Sequence, residues 1–191
     1  MTDTLADQSD GELAALCLAG RQQAFGEIVR RYKESLHRLV ARIIGDDHEA
    51  LDVVQEAFVA AHGALRSFDQ TRPMRAWLSR IAINKARDWR RRQAVRRLIS
   101  VILPIDHGLS TADETPSAET SAADRQELAR VAAAIAALPA RLRETLALRT
   151  IEGLSQAEAA ETLGISEKAV EARLYRARQR LGRELNETSM T

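Results

Sequence analysis

Arg173, Arg176 and Arg180 stand three and four residues apart near the C-terminus, so on a helix they share one face. Val170, Leu174, Ala177 and Leu181 take another face of the same helix and supply its packing side. Guanidiniums aligned in this way suit a major groove, where arginine bonds guanine edges or phosphate oxygens. Just ahead, Ser155-Gln156-Ala157-Glu158 has the form of a capping box: Ser155 accepts from the amide of Glu158, and Glu158 reaches back. Gly164 and Ile165 make a turn, glycine being suited to positive φ, and Ser166 can cap a last helix from 167 to about 185. A short capped helix, a turn and a longer basic helix are the parts of a helix-turn-helix. A surface helix of solvated arginines, or a bundle that binds protein, is the plainer alternative. The cap, the turn and the one-sided charge together favour DNA.

A second basic face lies upstream. At 100° per residue, Arg80, Asn84, Arg87 and Arg91 fall within about 60° of one another. Trp77, Leu78, Ile81, Ala82 and Trp89 cover the other side, while Lys85, Arg90, Arg92, Arg96 and Arg97 broaden the positive field. A basic run alone is more often a solvated helix end, but a second basic helix in the same chain shifts the balance towards nucleic acid. A third cluster is acidic: Asp46, Asp47, His48, Glu49, Asp52 and Glu56. Its readings are a divalent-metal site, negative charge at a helix N-terminus, or a protein-docking face. The segment lacks a compact ligand motif, so docking fits better than metal. No phosphate loop, nucleophile elbow or paired catalytic carboxylates occur, and His37, His48, His62 and His107 are scattered. The expectation is a non-enzymatic protein with no cofactor, no bound metal and no small-molecule substrate.

The elements that must carry these faces are helical. Ala, Leu and Arg dominate the 191 residues, aromatics are only 4%, and alternating β-branched stretches are absent. A short helix is expected near 10–18. The next, 24–44, carries Phe25, Ile28, Val29, Tyr32, Leu36, Leu39, Val40 and Ile43 as one stripe. A helix over 49–65 has Leu51, Val54, Phe58, Ala61 and Leu65 as its core side. After a polar loop at 67–73, Pro73 disfavours a helical Arg72, and a helix follows over about 74–97. Residues 106–122, rich in Ser, Thr, Ala, Asp and Glu, read as extended or disordered. The second domain holds helices over 124–137, about 140–149, the short capped one, and the last. The organisation expected is therefore 1–97, a flexible acidic linker 98–123, and 124–191. The linker would let the two domains sit on DNA sites well separated along a duplex.

Charge is segregated in the same pattern. Residues 1–71 carry 7 basic and 12 acidic side chains, 72–97 carry 10 and 1, 98–165 carry 5 and 10, and 166–183 carry 6 and 2. Two short basic segments inside acidic surroundings fit two elements that meet phosphate while the rest faces protein or solvent. Cys17 is single and sits in an apolar stretch, so it reads as a packing residue. The longest apolar run, 98–105, is too short to span a bilayer, and residues 1–11 lack an apolar signal core; a cytoplasmic protein with no direct membrane insertion is expected.

Three segments in order resemble one family. Asp52-Val53-Val54-Gln55-Glu56-Ala57-Phe58 looks like its core-polymerase-binding helix. Arg75-Ala76-Trp77-Leu78-Ser79-Arg80-Ile81-Ala82-Ile83-Asn84 looks like its −10-reading and melting helix. Gly153-Leu154-Ser155-Gln156-Ala157-Glu158-Ala159-Ala160 with Val170-Glu171-Ala172-Arg173-Leu174-Tyr175-Arg176-Ala177-Arg178 looks like its −35-reading domain. The chain thus resembles the extracytoplasmic-function (group 4) sigma factors of the sigma-70 family, over roughly residues 10–185. The resemblance implies an all-α fold of two small domains, a sigma-2-like helical bundle and a sigma-4-like helix-turn-helix. It implies core RNA polymerase (clamp of the largest subunit, flap of the second largest), promoter DNA and an anti-sigma factor as partners. Asp52, Gln55 and Glu56 would dock on the clamp, whereas Phe58 reads better as core. The loop at 67–75 would capture a flipped base, whose unstacking costs a few kcal/mol. Phe68, Asp69, Arg72, Arg75, Trp77, Arg80, Asn84, Lys85, Arg87 and Arg91 would meet the −10 element. Ser166, Lys168, Glu171, Ala172, Arg173, Tyr175, Arg176 and Arg180 would meet the −35 element, and the acidic linker would thread the RNA path of polymerase. Two departures bear on promoter sequence: the loop lacks the Gly- and Ser-rich form of many members, and Glu171 replaces a common basic residue, offering an acceptor to a cytosine amine. The alternative reading is a helix-turn-helix regulator acting on an operator without polymerase.

Overall fold

The computed structural model describes residues 4–102 and 122–188, and among them every regular element is helical. The acidic segment expected as a linker lies mostly outside the described residues, as does His107. The helices are α1 (Asp10–Leu18), α2 (Gln22–Ile44), α3 (Asp47–Ala64), α4 (Met74–Ile102), α5 (Ala122–Ala137), α6 (Ala140–Thr150), α7 (Gln156–Leu163) and α8 (Glu167–Thr188). None is long and apolar enough to cross a membrane.

Local chemistry explains where they stop and start. Ser9 and Glu12 form a capping box on α1. Asp46 caps α3, its side chain accepting from the Glu49 amide at 2.9 Å, so α3 takes in Asp47 and His48 and begins two residues earlier than expected. Helix α4 runs on to Ile102 rather than ending at Arg97, since no Gly or Pro intervenes before Pro104. Ser155 and Glu158 make the expected capping box on α7, and Gly164 ends it at φ 66, a left-handed backbone that disfavours residues with a Cβ.

Helices α1 to α4 pack around Leu13, Ile28, Leu36, Leu39, Val40, Ile43, Val53, Phe58, Leu78 and Ile83. One expectation about this core is corrected. Leu51 is 52% exposed, and Val53 is buried in its stead. The buried side of α3 runs through Ala50, Val53, Val54, Ala57 and Ala61, which leaves Leu51, Gln55 and Val59, four residues apart, on the outer side. In the C-terminal unit α8 packs against α6 and α7 through Val170, Leu174 and Ala177, as its stripe predicts, with Leu181 half-buried.

The two units are in contact. Helix α6 lies on α2 and α7 on α4, and Ala147, Leu148, Leu154, Ala159 and Ala160 belong to the same apolar core as α1 to α4. Each fully buried Leu in such a core contributes roughly 1.5–3 kcal/mol relative to exposure.

Candidate nucleic-acid interface

The last helix presents its cations outward. Arg176 and Arg180 are exposed, Arg173 is half-buried, and all three line one open cleft between α6 and α8 together with Arg141 and Arg183. Burial first, then the nearby Arg141, holds the Arg173 guanidinium below its ordinary range, while Glu144 opposes the shift. Neither Arg176 nor Arg180 is ion-paired among the described residues. Ser166 caps α8, its hydroxyl accepting from the Ala169 amide at 3.2 Å. Lys168, Glu171, Ala172 and Tyr175 are exposed on the same helix, and the Tyr175 hydroxyl accepts from Gln179 Nε2 at 2.7 Å. Gln156 Nε2 donates to the Glu167 carbonyl at 3.1 Å and ties the start of α7 to the start of α8. The bond from Gln156 and the packing of α7 on α8 hold the two helices together, and Arg176 and Arg180 stay exposed.

The upstream face is built differently. Arg80 and Asn84 are exposed, and Arg91 is exposed but paired with Asp88 on its own helix. Arg87 turns to the C-terminal unit, donating from Nε and Nη2 to the two oxygens of Glu144 at 3.0 and 2.7 Å. That side-chain bond is the main cause holding the Arg87 guanidinium above its ordinary range, against burial. Asn84 Oδ1 accepts from Arg87 Nη1 at 3.4 Å, and Lys85 is half-buried. In the loop, Asp69 accepts from the Thr71 amide and hydroxyl, at 3.0 and 2.7 Å, and these bonds lower its carboxyl below the ordinary range. Arg72 pairs with Asp69 at 3.2 Å and with Glu161 of α7. Arg75 Nη1 donates to the Glu152 carbonyl at 2.9 Å. Phe68 is buried against half-buried Trp77, ring centroids 5.2 Å apart, so both support the loop from beneath.

The acidic cluster divides by role. Asp46 is a helix cap, and Glu49 Oε2 accepts from the Trp89 indole at 2.7 Å, which ties α3 to α4. Asp52 and Gln55 are exposed, and Glu56 is half-buried with Arg92 at 3.3 Å. Beside them Leu51 and Val59, 52% and 75% exposed, make the outer side of α3 both apolar and acidic. Among the described residues no group of three or more His, Cys, Asp or Glu side chains is placed to hold a metal ion. Sequence reasoning missed Glu144 and Glu152 altogether. The signal for Glu144 was a charged residue among the apolar positions Leu142, Ala147 and Leu148 of α6.

Comparison with known proteins defines the class. Residues 28–96 match Sigma-70 region 2 and residues 128–181 match Sigma-70, region 4. The chain is 42% identical to the RNA polymerase sigma factor CnrH of Cupriavidus metallidurans, over 92% of this chain and 93% of that protein. It is 33% identical to the ECF RNA polymerase sigma factor SigM of Mycobacterium tuberculosis, over 93% of this chain and 85% of that one. Its fold is like that of CnrH in complex with the cytosolic domain of CnrY, with TM-score 0.70 and 38% identity over 94% of this chain and 99% of that one. The chain therefore belongs to the ECF sigma factors of RNA polymerase, and it acts in promoter-specific transcription initiation.

Proposed function

We propose that this sigma factor, of the group 4 type, docks on the clamp of core RNA polymerase through the outer side of α3 and reads two promoter elements. Asp52, Gln55 and Glu56 supply the polar docking contacts, with Leu51 and Val59 beside them. The loop at 67–75 and the Arg80–Asn84 face of α4 take the −10 element as its strands part. Arg176 and Arg180, with Arg173 behind them, take the −35 element in the major groove, where one good contact is worth about 1–3 kcal/mol. The C-terminal unit meets the flap of polymerase. An anti-sigma factor is a further partner, a reading supported by the complex of CnrH with the cytosolic domain of CnrY. The protein works in the cytoplasm, without catalysis, cofactor or small-molecule substrate.

The observation that carries this reading is the capped helix-turn-helix with its one-sided, exposed arginines, joined in one chain to a second basic helix beside an exposed acidic and apolar one. An operator-binding regulator would have no use for the first unit. Run-off transcription with core polymerase over a promoter library tests it. Transcripts should depend on this protein and share two spaced elements upstream of their starts. Duplex binding by the free protein that is as tight and selective as that of the polymerase complex would overturn it.

A further inference from the structure

Two arginines that the proposed function leaves unused lie within electrostatic reach of each other across the join between the units. Arg143 of α6 is 5% exposed, and Arg90 of α4 is half-buried. Arg143 Nε and Arg90 Nη1 are both buried without a hydrogen-bond partner. Burial first, then the nearby Arg90, holds the Arg143 guanidinium below its ordinary range, while Glu144 opposes the shift. The acids of the two helices are already engaged. Asp88 is the single acidic residue of α4 and pairs with Arg91. Glu144 is the single acidic residue of α6 and gives its two oxygens to Arg87 at 3.0 and 2.7 Å. A buried carboxyl or lysine escapes such surroundings by changing its protonation, but a guanidinium stays charged. Two like charges out of water need a counter-charge. A water molecule accepts hydrogen bonds without offsetting charge. An oxyanion does both, and phosphate oxygens meet the guanidinium fork in pairs.

We propose that Arg90 and Arg143 form a site for a small free oxyanion of the phosphate class, held between α4 and α6 with one guanidinium from each unit. The site is separate from the faces assigned to DNA. Neither arginine belongs to the row of Arg80, Asn84 and Arg91, nor to the cleft lined by Arg173, Arg176 and Arg180. The enclosure of Arg143 selects for size, since a nucleic-acid strand cannot follow its phosphate to a side chain so deeply buried. The site exists only where α4 and α6 lie together, so the ion binds the folded chain and not the unfolded one. It therefore stabilises the protein in step with its concentration over its dissociation constant.

The test melts the full chain at neutral pH in sodium phosphate and in sodium chloride of equal ionic strength, with a calorimetric titration of phosphate at fixed temperature. Wild type should take up one phosphate per chain, and its Tm should rise by about 3–6 °C over chloride at a concentration tenfold above the dissociation constant. Arg143→Met and Arg90→Met should each lose that rise. In chloride, Arg143→Met should melt at or above wild type, because it removes a buried charge that has no partner. Melting several degrees lower would show that protein partners hold Arg143, and would overturn the site. Arg176→Met with Arg180→Met should keep the full rise. A rise lost there and kept in Arg143→Met would place the ion in the cleft between α6 and α8 instead, and no phosphate-specific rise in wild type would also overturn the proposal. Dimethyl phosphate, a diester like the nucleic-acid backbone, separates the two sources of the oxyanion. It should give no rise, and a rise equal to that in phosphate would overturn the assignment to a free ion.

Discussion

Helices α4 and α8 are both basic and amphipathic, yet α8 faces solvent with Arg176 and Arg180 exposed, while α4 engages Glu144 through Arg87 and the turn before α7 through Arg75, and the loop ahead of it engages α7 through Arg72. The difference follows from what each helix packs on. Helix α8 packs on the C-terminal unit with one side and leaves Arg176 and Arg180 exposed on another, whereas α4 packs on α2, α3 and α7. On the function proposed above, α8 would read duplex DNA and α4 separated strands, so the helix left open is the one whose ligand is always present to be sampled. Sequence patterning sees the shared chemistry of the two helices; only the fold shows that one is engaged.

The largest expected effect concerns the step that must precede use of α4. Asp52→Arg with Glu56→Arg should weaken binding to core polymerase on the order of a hundredfold, about 2.7 kcal/mol. Fluorescence titration would measure it, with circular dichroism checking that helicity is kept. Unchanged affinity removes docking from α3. Next, Arg176→Ala should cost about 1–3 kcal/mol of upstream occupancy, roughly 5- to 150-fold in the polymerase concentration required. Gel shifts on linear duplex read this directly. A variant that fails to open bound promoter instead would erase the contrast between the two helices. Gly164→Val forces a branched residue into left-handed backbone and should cost about 1–2 kcal/mol in a denaturant titration. A loss well below that would show that the turn can relax.

The smallest effect sits at the join between the units. Burial raises the Glu152 carboxyl above its ordinary 4.5, against the pull of Arg75 and Arg38. A carboxyl raised on folding keeps a proton in the folded state that the unfolded chain has released. Its ionised form therefore costs stability at neutral pH, and the cost fades as pH falls through the raised value. Glu152→Gln should melt higher than wild type at neutral pH, and the gap should close towards about pH 4.5. A gap that widens on acidification would mean that the ion pair with Arg75, not burial, governs Glu152.

Much of this was legible in the sequence because it is local. The span of α1, the capping box at Ser155 and Glu158, the turn at Gly164 and the packing stripe of α8 depend on residues within a turn or two of one another. The errors come from distance. Leu51 fits the three- and four-residue steps of the α3 stripe as a core residue, and only the placement of α2 and α4 selects Val53 instead. Trp89 packs against the core as expected, but its further bond to Glu49 spans 40 residues and lay beyond the reach of the pattern. Arg87 shares a face with Arg80, Asn84 and Arg91 by helical geometry, and nothing within its own helix announces Glu144, which lies 57 residues away. The acidic cluster looked uniform, but Asp46 and Glu49 are structural while Asp52 and Gln55 face outward, a division set by which side of α3 meets α4.

The division of labour between α8 and α4 is tested most directly by permanganate footprinting of thymines in polymerase complexes. Wild type, Arg176→Ala and Asn84→Ala are compared on linear and pre-melted promoters, with polymerase in excess. On linear DNA, Asn84→Ala should bind but show weak thymine reactivity, and a pre-melted template should restore it. Arg176→Ala should show full reactivity on every template it occupies and need only more polymerase to fill it. If pre-melting rescues Arg176→Ala and leaves Asn84→Ala defective, the assignment of opening to α4 and of duplex reading to α8 is contradicted.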